Sequence, residues 1–235
     1  MPDKFQFLFM GKYSKGRFLF LLIALMGLMM LSPILEEFVR LNILMDIFIT
    51  LVFIGCISAI SNTRSTVFIT IVLALPMFLT MWLPGLEKYT SLYLLGNFSG
   101  ILFMTFVIVS ILSFVFKERE VNANIIYASI VTYLLLAIMW SFIFKIIETL
   151  QPGSFFVPGH ILDKEGTIFT YYSFVTITTL GYGDITPIKA ASRAFSAIEA
   201  VIGQIYLVVL VARLVGLNIA QTMTKDIGQT RDKEK

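Results

Sequence analysis

Long, uninterrupted apolar runs constrain this chain more than any other feature. A helix needs about 20 mostly apolar residues to cross roughly 30 Å of hydrocarbon. Six stretches have that character: Phe18 to Leu35, Leu41 to Ile60, Thr66 to Leu83, Leu92 to Phe116, Ile125 to Ile147 and Ala190 to Ala220. A shorter, semi-apolar segment, Ile168 to Thr178, lies between the last two. The first run is too long for a secretory leader, and no small-residue cleavage site follows it. Composition agrees, with 57% hydrophobic and 14% charged residues, against about 45–50% and 25% in soluble domains. The expected fold class is an all-α integral membrane protein with six transmembrane helices.

Several functions are argued against at this level. The net charge of +3 is small and the basic residues sit mostly in loops and tails, so no nucleic-acid partner is expected. The single cysteine, Cys56, excludes an intrachain disulfide. With one histidine, His160, there is no Cys/His cluster, no metalloprotease helix motif and no phosphate loop. Neither an enzyme nor a resident cofactor is expected.

Charge asymmetry orients the spans. With the N-terminus inside, Lys4, Lys12, Lys15, Arg17, Arg64, Lys117, Arg119, Lys225, Arg231, Lys233 and Lys235 are cytoplasmic. Only Arg40, Lys88, Lys164, Lys189 and Arg193 then face outward. This bias favours both termini in the cytoplasm of a multi-pass protein of the cell membrane. Six spans then put the segment from Leu150 to Lys189 outside, so the stretch Thr176 to Asp184 dips into the membrane from that side. Non-helical backbone at that depth is tolerated where protein buries it or where it lines a water-filled path.

Within this stretch, Thr179-Leu180-Gly181-Tyr182-Gly183-Asp184 resembles the selectivity filter of potassium channels. The resemblance extends over about the last 110 residues, as outer helix, re-entrant pore helix, filter and inner helix of the tetrameric potassium-channel superfamily. The whole chain looks like a six-span, one-pore-loop subunit of the voltage-gated type. A homotetramer is implied, with K+ as the permeant ion. Carbonyls of Thr179, Leu180, Gly181 and Tyr182 would hold the ion, the Thr179 hydroxyl would add a lower ring, and Gly183 would complete the strand. Such inward carbonyls call for left-handed backbone at alternating positions, which Gly181 and Gly183 allow at little steric cost.

The resemblance also assigns supporting roles. Ile168 to Thr178 becomes the pore helix, its C-terminal end aiming partial negative charge at a cavity. The Tyr182 ring points away from the pore and Asp184 hydrogen-bonds behind the filter mouth. Many relatives buttress the filter with a pore-helix tryptophan, where this chain has Tyr171 and Tyr172; some pair a glutamate with the aspartate, where it has Val175. Leu180 replaces the more usual valine, and Thr178 precedes the filter as its support. In the inner helix Gly203 stands where relatives keep a hinge glycine, although close packing alone also explains a glycine there. Gln204, Leu207, Val211 and Val215 share one helical face; if it lines the cavity, Gln204 is the polar residue nearest the ion. Ser192, Ser196 and Ala200 form a small-residue seam for tight helix contact.

The expected organisation is a cytoplasmic or interfacial segment 1–17, a four-helix sensor-like module 18–116, a linker 117–124, a pore domain 125–220 and a tail 221–235. The fourth run holds no arginine or lysine, whereas voltage sensors need several, so conventional voltage gating is argued against. Gly96 and Gly100 give that run a small-residue face. The short linker places the module beside its own pore segment, and the tail is too short for a soluble ligand domain. Asp46 is either a gating or ligand group or an interfacial carboxylate paired with Arg40. Glu199 packs behind the pore helix, and Lys145 and Glu148 form an interfacial pair. His160 is a pH sensor or an exposed loop residue, and Arg213 snorkels to headgroups or forms part of a lower gate. The basic, aromatic N-terminus lies along the membrane surface.

The expected function is passive, potassium-selective conduction, with other copies of the chain and the lipid bilayer as partners. Two alternatives stand beside it: a non-selective cation channel, and a membrane receptor or modulatory subunit with a pore-like domain.

Overall fold

The computed structural model describes residues 16–36, 50, 52–57, 64–83, 85–118, 120–159 and 168–233. Arg40, Asp46, His160 and the N-terminal segment through Lys15, to which the sequence assigns roles, lie outside those residues.

Helices account for the apolar runs, because a chain that cannot bond to water must satisfy its backbone internally. They are α1 (Arg17–Glu36), α2 (Arg64–Trp82), α3 (Thr90–Lys117), α4 (Ala123–Leu150), the short α5 (Ile168–Ile177) and α6 (Ala190–Lys233). A 3-10 turn, Leu86–Lys88, joins α2 to α3, entered through Gly85 at φ 100°. Of the second apolar run, residues 50 and 52–57 are described and helical. Among the described residues three helices are long and apolar enough to cross a membrane: Thr90–Lys117, Ala123–Leu150 and Ala190–Met223. The helix expected to end near Ala220 runs on through Lys233, so the tail continues the inner helix.

Packing is sequential. Helix α3 lies between α2 and α4, α1 rests on α4, and α5 is inserted between α4 and α6. Helices α1 and α3 therefore sit against α4 of their own chain, as the short linker predicts. Lipid is as apolar as leucine, so helices associate through close packing and interhelical hydrogen bonds. Both devices operate between α2 and α3. A Cβ on Gly96 would fall 2.3 Å from Thr80 Oγ1, and one on Gly100 would touch Met77 and Phe142 at 3.2–3.3 Å. One turn before Pro76, which cannot donate a backbone bond, the Leu73 carbonyl accepts from the Ser99 hydroxyl of α3.

Beyond α4 the chain forms a two-residue antiparallel ribbon, β1 (Phe155–Phe156) with β2 (Thr186–Pro187), in the register Phe155 to Pro187 and Phe156 to Thr186. It ties the end of α4 to the start of α6. The expected Lys145–Glu148 pair is replaced here by two separate arrangements. Glu148 accepts three backbone N–H groups, from Gly153 at 2.6 Å, Ser154 at 2.9 Å and Phe155 at 3.2 Å. Three fixed amides satisfy a carboxylate better than one mobile ammonium. Lys145 lies instead over the Phe142 ring, 5.5 Å from its centroid. Beneath the ribbon Phe155 packs edge-on against Phe144, Phe169 and Tyr172, anchoring the start of α5.

Candidate functional site

The conspicuous motif begins where α5 ends. The last carbonyls of a helix lack intrahelical donors, and here the following residues fold back to supply them. Thr179 N–H donates to Thr176 O at 2.9 Å, while Leu180 and Gly181 N–H both donate to Val175 O, at 3.0 and 3.3 Å. Val175 thus serves through its backbone, its side chain being buried. Beyond this turn the backbone alternates, with positive φ at Thr179 (57°), Gly181 (59°) and Gly183 (78°).

Left-handed backbone at the two glycines matches the expectation from sequence. Thr179 extends the alternation by one further position, on a β-branched residue for which positive φ is rare. Only the spacing of two residues hinted at it, since nothing in threonine itself signals that conformation. The consequence appears in the hydrogen bonds: the amides of Thr179, Leu180 and Gly181 are turned back onto α5, and among the described residues no donor reaches any carbonyl from Thr178 to Gly183. An acceptor left unpaired in a membrane protein is costly unless water or a cation meets it.

Polar side chains on three elements brace this strand. Tyr171 Oη donates to Asp184 Oδ2 at 2.6 Å, and Asp184 Oδ1 accepts from Ile185 N–H at 3.0 Å. The Asp184 carboxylate is thus held by the Tyr171 hydroxyl and by the backbone amide that follows it. Tyr172 Oη bonds Ser196 Oγ at 2.6 Å, and Tyr133 of α4 donates to Ile177 O at 3.0 Å. Thr178 Oγ1 turns back to Phe174 O at 2.6 Å. Tyr133 was not singled out from the sequence; its only signal was a phenol within an apolar run.

The buried face of α5 meets a second group. Ser173 Oγ lies 2.6 Å from Ala137 O and also bonds the Glu199 carboxyl oxygen Oε1. Glu199 is fully buried, and its Oε2 has no hydrogen-bond partner among the described residues. The glutamate thus lies behind the short helix, as expected. The small-residue seam is more polar in effect than its spacing implies: Ser192 Oγ donates to Ser154 O at 2.7 Å, and Ser196 bonds Tyr172.

Helix α6 passes beneath the motif. A Cβ on Gly203 would lie 2.5 Å from the Ile177 carbonyl oxygen, so a glycine is required for this approach, and α6 is continuous through it. Gln204 Nε2 lies 3.4 Å from Thr179 Oγ1. Leu207, Val211 and Val215 continue along the helix and, with Val208 and Ala212, form an apolar, largely exposed face. Arg213 reaches across the chain to the end of α3: its Nη2 donates to the carbonyls of Val115, Phe116 and Glu118 at 3.0, 2.7 and 3.0 Å. The sequence gives no sign of this contact with the end of α3, 95 to 98 residues away.

Residues 125–219, from α4 through most of α6, match the family described as "Ion channel". No curated protein and no solved structure gave a significant match. The match covers about two-fifths of the chain, and among the described residues three helices, two of them within it, are long and apolar enough to cross a membrane. The matched family is one of ion-conducting, non-enzymatic domains.

Proposed function

We propose that this chain is the subunit of a passive, potassium-selective channel, in which four copies bring their Thr179 to Gly183 strands together around one ion path. The observation that carries the reading is the strand itself. Its first three amides are withdrawn onto α5 while its carbonyls accept from no donor among the described residues, and its φ alternates at Thr179, Gly181 and Gly183. Carbonyl rings that replace a hydration shell are how potassium filters work. One chain supplies one strand, so closure takes several copies. Tyr182 and the valines at 201, 208 and 211 are largely exposed in the single chain, which suits burial against neighbouring copies.

Thr179, Leu180, Gly181 and Tyr182 hold K+ in this reading, and Tyr171, Tyr172, Val175, Thr178 and Asp184 support them. Gly203, Gln204, Leu207, Val211 and Val215 border the cavity below. Helix α3 carries no basic residue before its last position, Lys117, so the first helices do not sense voltage by moving charge in the usual way. The channel lies in the cell membrane with both termini in the cytoplasm.

Purified protein in liposomes tests this. Potassium flux is expected to exceed sodium flux by at least about tenfold. Alanine at Gly181 adds a Cβ to left-handed backbone, costing about 1–2 kcal/mol in each copy, so Gly181→Ala is expected to abolish selective flux. Equal sodium and potassium flux would mean a non-selective channel. A monomer or dimer without flux would favour the modulatory-subunit alternative.

A further inference from the structure

The cap that Arg213 places on α3 joins two parts of the chain that the ion path alone does not require to meet. Helix α3 ends at Lys117, and the terminal carbonyls of any helix lack intrahelical donors and carry its negative pole. The Arg213 guanidinium supplies that donor and that positive charge from a position 98 residues away from Val115. It also lies over the Phe116 ring, 4.8 Å from the centroid. Its Nε is buried and has no hydrogen-bond partner among the described residues. Separating the two helices would cost the guanidinium these bonds and leave the carbonyls at the end of α3 without their donor.

The position of Arg213 on α6 gives the cap a mechanical meaning. Two residues in a helix turn through 200°, so Arg213 projects about 160° away from Val211 and from Val215. The cap grips the back of the inner helix at the level where its front carries the apolar face. Gly203, pressed against Ile177, lies roughly 15 Å nearer the motif. Between these two levels Tyr206 donates to the Ser129 carbonyl of α4 at 2.7 Å, so the far half of the inner helix is held by α4 at Tyr206 and by α3 at Arg213. The covalent link from α3 runs into α4, so Arg213 provides a separate connection to α6.

We propose that Arg213 is the coupling point through which the first helices of the chain set the position of the inner helix, and with it how often the path is open. A displacement of α3 carries Arg213 along, and the face formed by Leu207, Val211 and Val215 turns with it. This proposal rests on the channel reading above. It supplies a role for helices that carry no sensor charges: whatever lipid, tension or partner displaces α3 is felt by α6.

Arg213→Gln and Arg213→Lys, compared in single-channel recordings in defined lipid, test the idea. Arg213→Gln is expected to change open probability by about tenfold while leaving unitary conductance and the potassium-to-sodium preference unchanged. Arg213→Lys, which keeps the charge, should recover part of the effect. An open probability within about twofold of the parent in Arg213→Gln overturns the proposal, as does a parallel loss of conductance and selectivity. Hydrogen exchange on the whole protein in lipid gives a readout independent of conduction. Arg213→Gln is expected to speed exchange both near Val115 to Glu118 and along α6 beyond Leu207, whereas faster exchange on one helix alone contradicts coupling. If Arg213→Gln does not assemble, Phe116→Leu removes the ring beneath the guanidinium and leaves its donors. It should shift open probability the same way by a smaller factor, and no shift counts against the proposal. Parent protein without any flux would defeat the channel reading, while the exchange result would still decide the coupling.

Discussion

The two halves of the molecule solve the same problem differently. Among the first helices association depends mainly on shape, with the Ser99 to Leu73 bond beside it: glycines at 96 and 100 of α3 admit neighbouring side chains, and Phe53, in the segment before α2, stacks on Phe103 of α3 at 4.6 Å. Around α5, position depends on direction. Tyr133 grips Ile177 O, Tyr171 grips Asp184, Tyr172 grips Ser196, and Ser173 meets Ala137 and Glu199. Small-residue packing lets helices slide a little against one another at modest cost. A hydrogen bond weakens steeply once bent or stretched. The half carrying the motif is therefore held to tighter geometry than the half that leans against it, as the proposed ion path would require.

Glycine substitutions give the sharpest contrast and the largest expected effect. At Gly203 the obstacle to a Cβ is the backbone oxygen of Ile177 at 2.5 Å; at Gly96 it is the Thr80 side chain at 2.3 Å. Overpacking a tight contact costs about 1–3 kcal/mol. Gly203→Ala is expected to abolish flux or assembly, and no side-chain trimming should rescue it. Gly96→Ala is expected to lower thermal stability in detergent, with Thr80→Ala restoring it. A conducting Gly203→Ala channel would erase the distinction between the halves.

Glu199 comes next. A hydroxyl has one proton, and Ser173 faces two oxygens, those of Ala137 and Glu199. If Ser173 donates to Ala137, the carboxyl must bring the proton for its own bond, so a neutral side chain of the same reach is sufficient. Glu199→Gln is expected to retain flux, and Glu199→Ala to lose it, because truncation leaves a cavity and an unpaired group worth about 2–4 kcal/mol together. Loss of flux in Glu199→Gln with proper assembly would show that a charge is required there.

The smallest effects compare single hydroxyls. Tyr171→Phe and Ser99→Ala each remove one hydrogen bond, worth about 1 kcal/mol. Tyr171→Phe should make potassium current decay sooner or select less well, with the melting temperature nearly unchanged. Ser99→Ala should shift the melting temperature and leave selectivity intact. Equal effects of both on conduction would argue that bracing is spread over the whole chain.

Much of this was legible in the residues. Apolar length alone predicts α3, α4 and α6, since helix is the one local structure that satisfies every backbone group within a single run. Gly181 and Gly183 announce the left-handed positions because only glycine adopts them without steric cost. Thr179 gives no such sign, and its positive φ follows from what surrounds it: its amide is held by Thr176 and its hydroxyl faces Gln204. Helical spacing correctly predicts Lys145 and Glu148 as neighbours on one face, yet Glu148 turns to three amides of a loop that spacing along the helix cannot see.

By itself, then, the sequence determined the membrane class, the long helices and the place where regular backbone breaks, because those depend on hydropathy and on the φ range open to glycine. Only the tertiary structure decided which partners the polar residues take. Tyr171 reaches Asp184 across the turn after α5, Glu199 reaches Ser173 from another helix, and Arg213 caps α3. Each pairing joins residues distant in sequence, and a hydrogen bond depends on ångström-scale distance and direction that spacing along one chain does not encode.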